Sequence, residues 1–470
     1  RIRLRGRLDV AALESALAEI FSRHEILRSQ VVVEGERQGQ RVMPEYKFSL
    51  PVIDLGDLRE SERNERYAGV ADTEARRPFD LTVGPFARAT LARLGGEEHV
   101  LLFTSHHIAF DGWSMGVLFR ELGTLYGDFA AKRASSLASP TLQYADYAAW
   151  QRERISSAST ESDLAYWVEQ LAGAPPILQL PADHPRPAAR SHSAGRLARE
   201  LPAGLMERLR ALGNEEGATL FMTMLAAFQL FVSRMSGAED VVVAVPVAGR
   251  TNPQTEALLG CFLNMLPMRT RVQRQLTFRK LLRSVRGTAL DALAHQELPF
   301  DVLIDRLQPE RSLGHTPVTQ VLFNFRNTPA PELVLEGLEV VAEPLAGTTI
   351  VSDFELNVER SADGWSLDAL YSSELFDGAS IERWLGHFQT LLEGIANSPD
   401  ERVSRIPLLT YGERCMIVDE WNDNATAPDF ETCLHTLFEA QVQRTPDSIA
   451  VVAGDDRITY GELNRSANRL

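Results

Sequence analysis

Two adjacent histidines, an aspartate and a glycine make SHHIAFDGWS, residues 105–114, the stretch of this chain best equipped for chemistry. His106 and His107 close an apolar run, and Asp111, Gly112, Trp113 and Ser114 follow at once. Imidazole, with an unperturbed pKa of about 6.5, exchanges protons at neutral pH. Metal ligation, nucleophilic catalysis and acid–base work are all open to such a cluster. So is plain packing, because a histidine at a strand end is often a satisfied core residue. Metal ligation fits poorly. Neighbouring strand residues point to opposite faces, and no HExxH, CxxC or third nearby histidine completes a ligand set. Nucleophilic catalysis lacks a GxSxG elbow and a cysteine close in sequence, and Ser105 or Ser114 would need a partnered base. What remains is one histidine presented to a cavity and one supporting it. Asp111 would pair with an arginine, and Gly112 would let backbone or substrate approach closely. On pattern alone, this reading and core packing stand even.

The surrounding pattern places the cluster. Asp9 stands as N-cap before Leu13, Leu17, Ile20 and Phe21 at helical spacing. FARATLARL and HVLLFTSHH read as two strands joined by a turn at Gly95-Gly96. After Gly112, Val117, Leu118, Leu122, Leu125 and Tyr126 recur at helical spacing. The cluster therefore falls where a buried strand ends and a helix starts, a common place for function. GAPPILQLPADHPRPAARSH is proline-rich and aperiodic, which marks a connector. A second α/β pattern follows, with an all-round apolar core helix (ATLFMTMLAAFQLFVSRMSG), the valine strand of EDVVVAVPVAGR and a further strand in GCFLNMLPMRTRV. No repeat links the halves. The predicted division is a lobe over 1–172, a connector over 173–195, a second lobe over 196–405, a linker over 406–430 and the start of another domain over 431–470.

The gross properties narrow the function classes. At 470 residues and a prior of about 150 per domain, the chain has room for several domains. A net charge of −16 disfavours nucleic acid as partner. No apolar run reaches the roughly 18–20 residues of a membrane span. Three scattered cysteines, Cys261, Cys415 and Cys433, suit neither a disulfide framework nor a CxxC site and favour a reducing cytoplasm. The opening RIRLRGRLDV has no signal-peptide character and reads as the interior of a longer chain.

Other stretches separate the readings of the histidine pair. HHIAFDG (106–112) matches the HHxxxDG motif of the condensation domains of nonribosomal peptide synthetases, a motif shared with the wider chloramphenicol acetyltransferase-like superfamily. RHEILRS (23–29) resembles RHExLRT, and YADYAAW (144–150) resembles YxDYAxW. GCFLNMLPMR (260–269) resembles GxFVNTxxxR, departing at Leu263 and Met265, and HQELPFD (295–301) resembles HQDxPFE. Five elements in family order make the resemblance specific. The family's opening SxAQxRLW is absent, and its seventh element, RDxSRxPLFQ, is only weakly matched by RSLGHTPVTQ (311–320). At the end, ITYGELNRSANRL (458–470) resembles LTYxELNxxAN, the first core motif of adenylation domains. A strip that short carries no expectation of ATP-dependent activity.

The resemblance implies an α/β fold of two chloramphenicol acetyltransferase-like lobes, a V-shaped pseudo-dimer with a tunnel between them. It implies peptide-bond formation, in which a carrier-tethered aminoacyl amine attacks an upstream carrier-tethered acyl or peptidyl thioester. The implied partners are upstream and downstream carrier-protein domains and a downstream adenylation domain. The domain itself would hold no cofactor or metal, the 4'-phosphopantetheine arms being presented by the carriers. His107 matches the catalytic position, as general base or as a group that orients the amine and stabilises charge. His106 would support the loop. Asp111 would be structural, paired with Arg250 of the second lobe or, as rival, with Arg28. Gly112 would border the acceptor path, and Trp113 and Ser114 the tunnel. Arg23, His24, Tyr144, Tyr147, Trp150, Asn264 and Arg269 would be architectural, and Pro299 and Phe300 would form a bridging loop. HHIAFDGWSMGVL with RHEILR resembles the subtype using an L-configured donor. An epimerisation domain, a non-catalytic recruitment domain of the same fold and a free-standing acyltransferase are the rivals.

Overall fold

Valine-rich and alternating segments in both halves of the chain make two separate sheets. The computed structural model describes every residue except 36, 45, 309–313, 328–330, 344–348, 361–363 and 424–432. The family-like element at 311–320 therefore begins outside the described residues, and part of the expected linker at 406–430 lies there too.

The first sheet has the strand order Glu339–Ala342, Ile2–Arg5, Glu98–Ser105, Ala87–Arg93, Val52–Asp54. Its central hairpin pairs Leu91 with Leu101 across the turn at Gly95-Gly96. One face is packed by the helices Val10–Arg23 and Gly112–Ala130. Asp9 caps the first of these, its Oδ1 accepting from Ala12 N at 2.9 Å.

The second sheet runs Ala194–Glu200, Trp365–Ser372, Phe354–Arg360, Val321–Arg326, Asp240–Val247, Asn264–Arg271. Its core closes around the helix Leu220–Ser236, which is buried on nearly every side. That helix forms a pair with Leu205–Glu215, bent by 102°. Among the described residues no single helix is long and apolar enough to cross a membrane.

Core membership does not follow chain order. Trp167 and Leu171, which precede the proline-rich connector, pack into the second core. The Trp167 Nε1–H donates to the carbonyl of His295 at 3.0 Å. Conversely, Leu259, Leu333 and Leu335 pack into the first core, and Glu339–Ala342 adds an edge strand beside Ile2–Arg5, with Arg3 opposite Val341. The two lobes thus exchange segments. Proline content marks where a chain turns, but burial is settled by which apolar surface lies nearest.

The residues from Leu409 to Leu470 form a compact unit of their own. It contains the helix Leu434–Arg444, the hairpin Ile449–Ala453 with Asp456–Thr459, and the helix Tyr460–Ala467. Thr459 and Glu462 form a capping box at the start of that last helix.

Candidate active site

The strand Glu98–Ser105 stops one residue before the histidine pair, and the chain turns there. His106 N donates to Phe86 O at 2.8 Å, the last backbone tie to the sheet. Its Nδ1 then accepts from Ile108 N at 3.1 Å and caps a single helical turn, His107–Ala109. His106 is committed to the loop, and its ring edge meets Phe79 at 6.0 Å. His107 is exposed. The two imidazoles make separate contacts, and among the described residues no three metal-ligating side chains converge anywhere.

Asp111 starts the next helix. Its Oδ1 accepts from Ser114 N at 2.8 Å, satisfying an open donor of Gly112–Ala130 and placing negative charge at the positive end of the helix dipole. The rest of the carboxylate faces the second lobe. Arg250 Nη2 lies 3.2 Å from Oδ1 and 3.4 Å from Oδ2, and Phe262 N donates to Oδ2 at 3.0 Å. The two side chains are 2% and 1% exposed, so the pair is fully desolvated. Arg250 Nη1 donates to the carbonyls of Thr255 and of Leu258, the latter at 2.9 Å. The guanidinium also stacks over the Phe262 ring at 4.0 Å. Burial pushes the Arg250 pKa down, and the Asp111 charge opposes that shift. Arg28 stays in the first lobe, donating to Met43 O at 2.8 Å.

The second-lobe tripeptide Gly260–Phe262 completes the junction. Expected as strand, it lies before the strand that starts at Asn264, because its backbone bonds to the first lobe instead. Gly260 N donates to Ser114 Oγ at 3.2 Å, the Tyr144 hydroxyl donates to Cys261 O at 2.8 Å, and Phe262 N reaches Asp111. Two glycines allow this approach. Gly249 has φ 63°, and a Cβ there would meet Phe262 O at 1.9 Å; a Cβ on Gly260 would meet the Tyr144 ring at 2.2 Å. Phe262 itself sits 4.5 Å from the Tyr147 ring centre and 5.1 Å from that of Tyr144.

Around this junction Gly112, Trp113 and Leu263 are exposed, as His107 is. A Cβ on Gly112 would meet nothing within 4 Å. Trp113 is 47% exposed, and its Nε1–H donates to Glu256 O of the second lobe at 2.9 Å. Ser114 requires a correction. Expected to line a tunnel, it is 0% exposed, and its hydroxyl is committed to Asp111 at 2.7 Å and to Gly260. The position one turn into the helix points it at the junction rather than into open space.

Cys261 is the residue that sequence reasoning passed over. Its sulfur lies 3.6 Å from His107 Nδ1. This contact is the main cause that pushes the His107 pKa up to about 9; burial opposes it and Asp111 adds to it. Cys261 and His107 are separated by 154 residues, which hid the pairing. Tyr144, placed with the scaffold, also touches the junction directly through its hydroxyl.

The outlying motif residues hold the scaffold. His24 and Arg23 both bond Glu121, His24 at 2.8 Å. Asn264 Nδ2 donates to Gln296 O and Leu298 O, and its Oδ1 accepts from Phe300 N; Pro299 and Phe300, expected as a loop, instead cap and open the helix Phe300–Leu307. Arg269 forks onto Asp240.

The sequence pattern of a known family, described as the condensation domain, matches residues 1–418. The chain belongs to the condensation domains. These are amide-forming acyltransferases of nonribosomal peptide synthetases, with the two-lobed chloramphenicol acetyltransferase-like architecture. Relatives of this condensation domain include linear gramicidin synthase subunits B and D of Brevibacillus parabrevis. They are 42% and 40% identical over all of this chain, which spans 9% of each. Malpinin synthetase of Mortierella alpina is 38% identical, and the chain spans 6% of it. Among solved structures, the X-domain from teicoplanin biosynthesis matches with a TM-score of 0.78 at 31% identity, covering 87% of this chain and 92% of that one. A four-domain nonribosomal peptide synthetase bound to AMP and glycine matches in fold, with a TM-score of 0.79 at 21% identity, covering 98% of this chain and 36% of that one.

Proposed function

We propose that this condensation domain forms a peptide bond between two carrier-tethered substrates, using an L-configured donor. The carrying observation is an exposed His107 at the junction of two lobes that a buried ion pair ties together. In the reaction the acceptor nitrogen attacks the thioester carbonyl carbon. A C–N bond forms, the C–S bond breaks, and the amine proton ends on the released thiol of the donor arm. A thioester is already activated and the α-amine pKa is about 7.7–8.0, so holding the two groups together supplies much of the acceleration.

His107 contributes a polarised N–H or a base beside that nitrogen. With Nδ1 turned to Cys261, Nε2 is the ring nitrogen left for substrate. A pKa near 9 makes His107 an imidazolium at neutral pH. In that state it donates to the thioester oxygen as charge develops and to the departing sulfur. As a general base it would have to be neutral. The two roles differ in their pH profile: the donor role loses activity above about pH 9, whereas the base role gains it up to that pH.

Gly112, whose Cβ position is open, borders the acceptor path in this reading, and Trp113 edges it. The carriers present their phosphopantetheine arms as substrate, and residues 458–470 begin the adenylation domain that follows. A second reading, a non-catalytic recruitment domain, is favoured by the likeness to the X-domain, which has been solved in complex with OxyB. The retained, exposed His107 argues for catalysis. Reconstitution with loaded carriers tests both. His107→Ala is expected to stay folded and to lose condensation, with L-loaded donors preferred over D-loaded donors in the parent. Unchanged product formation by His107→Ala removes the catalytic reading, and preference for a D-loaded donor removes the subtype.

A further inference from the structure

We infer that Cys261 is a positioning residue for His107: the second lobe presents its sulfur to Nδ1 and thereby turns Nε2 toward the substrate. The inference rests on the catalytic reading of His107.

The geometry that carries it is the grip on the tripeptide. Gly260, Cys261 and Phe262 each give a backbone group to the first lobe, through Ser114, Tyr144 and Asp111 respectively. With the backbone held on both sides, the direction of the Cys261 side chain is set by the fold, and it points at a ring 3.6 Å away. Which nitrogen of a histidine carries the proton is decided by the bond its other nitrogen makes. With the sulfur engaged at Nδ1, Nε2 is the ring nitrogen left to the substrate. A rigid carbonyl or carboxylate usually supplies this support in histidine sites. Here the His107 backbone makes a hydrogen bond of that kind and a thiol from the opposite lobe adds the larger effect, so the orientation of His107 depends in part on the lobes being engaged.

Among the described residues, a hydrogen bond to the His107 backbone acts in the same direction as the Cys261 contact but more weakly. Asp111 acts on His107 only as a minor charge and is itself saturated by Ser114, Phe262 and Arg250. Tyr144 and Tyr147 face the same junction, and burial pushes both hydroxyls above their ordinary range, so they stay neutral there. The Cys261 contact is accordingly the largest influence on His107. Removing it returns the ring from about 9 toward 6.5. A complete return lowers the imidazolium share at pH 8 about thirty-fold.

The test uses the whole chain with Cys261→Ala, Cys261→Ser and His107→Ala. Histidine NMR titration, assigned with His107→Ala, reads the ring directly, and the pH profile of single-turnover condensation reads its consequence. Cys261→Ala is expected to lower the His107 midpoint by one to two units and to move the pH profile with it. Cys261→Ser, which keeps an acceptor, should recover part of the shift. A His107 midpoint unchanged in Cys261→Ala, with circular dichroism matching the parent, overturns the inference. Should His107→Ala condense normally, the catalytic reading fails on that arm alone, while the titration still decides whether Cys261 governs the ring.

Discussion

Arg250→Ala should unlatch the two lobes, and the cost can be worked from the contacts. At 3.2 Å and an effective dielectric of about 20, the Coulomb attraction to Asp111 is about 5 kcal/mol. Desolvating both charges offsets much of that in the intact pair. Breaking the pair is another matter, because it leaves one charge buried without its counter-ion, at a cost of about 3–5 kcal/mol. Asp111 would keep three donors, Ser114 N, Ser114 Oγ and Phe262 N. Leu258 O would lose its guanidinium donor, whereas Thr255 O would keep Leu258 N. The retained donors place the loss at the lower end, about 3 kcal/mol. Urea denaturation suits the measurement, since guanidinium salts screen the interaction under study. A midpoint shift at constant slope gives the difference directly. Asp111→Ala and the double variant complete a cycle, with an expected coupling of about 2 kcal/mol. Additive single variants, or an Arg250→Ala chain within about 0.5 kcal/mol of the parent, would refute the claim that this pair ties the lobes.

Gly112→Leu should leave stability nearly unchanged, since a Cβ there meets open space, yet raise the KM for the aminoacyl carrier; an unaltered KM counts against an acceptor path beside this residue. Gly260→Ala forces a Cβ to within 2.2 Å of Tyr144 and should cost about 1–3 kcal/mol in the same urea assay. Tyr144→Phe removes only the hydroxyl bond to Cys261 O and should cost about 1 kcal/mol. Trp113→Phe keeps an aromatic ring, smaller than indole, and drops the donor to Glu256 O; at this half-exposed site it should cost about 1 kcal/mol, and a loss well above that would show that the bond does more than an ordinary one.

Local order was legible in the sequence wherever a local rule produced it. Asp9 announced its helix because a short polar side chain before an apolar 3.6-residue period satisfies open amides. The cluster at 105–114 was placed correctly between strand and helix by the change of period. Arg250 was reachable only through the resemblance of its stretch to the family, because 139 residues separate it from Asp111. Three features lay beyond any spacing argument. Ser114 turned inward, Cys261 met His107 across the lobes, and segments on either side of the connector traded cores. Each depends on where two distant surfaces come to rest, which hydrophobic periodicity does not encode. The sequence by itself determined the secondary structure around the histidines and the family to which they belong. Only the tertiary structure decided which face of His107 is held, because the group that holds it arrives from the other lobe.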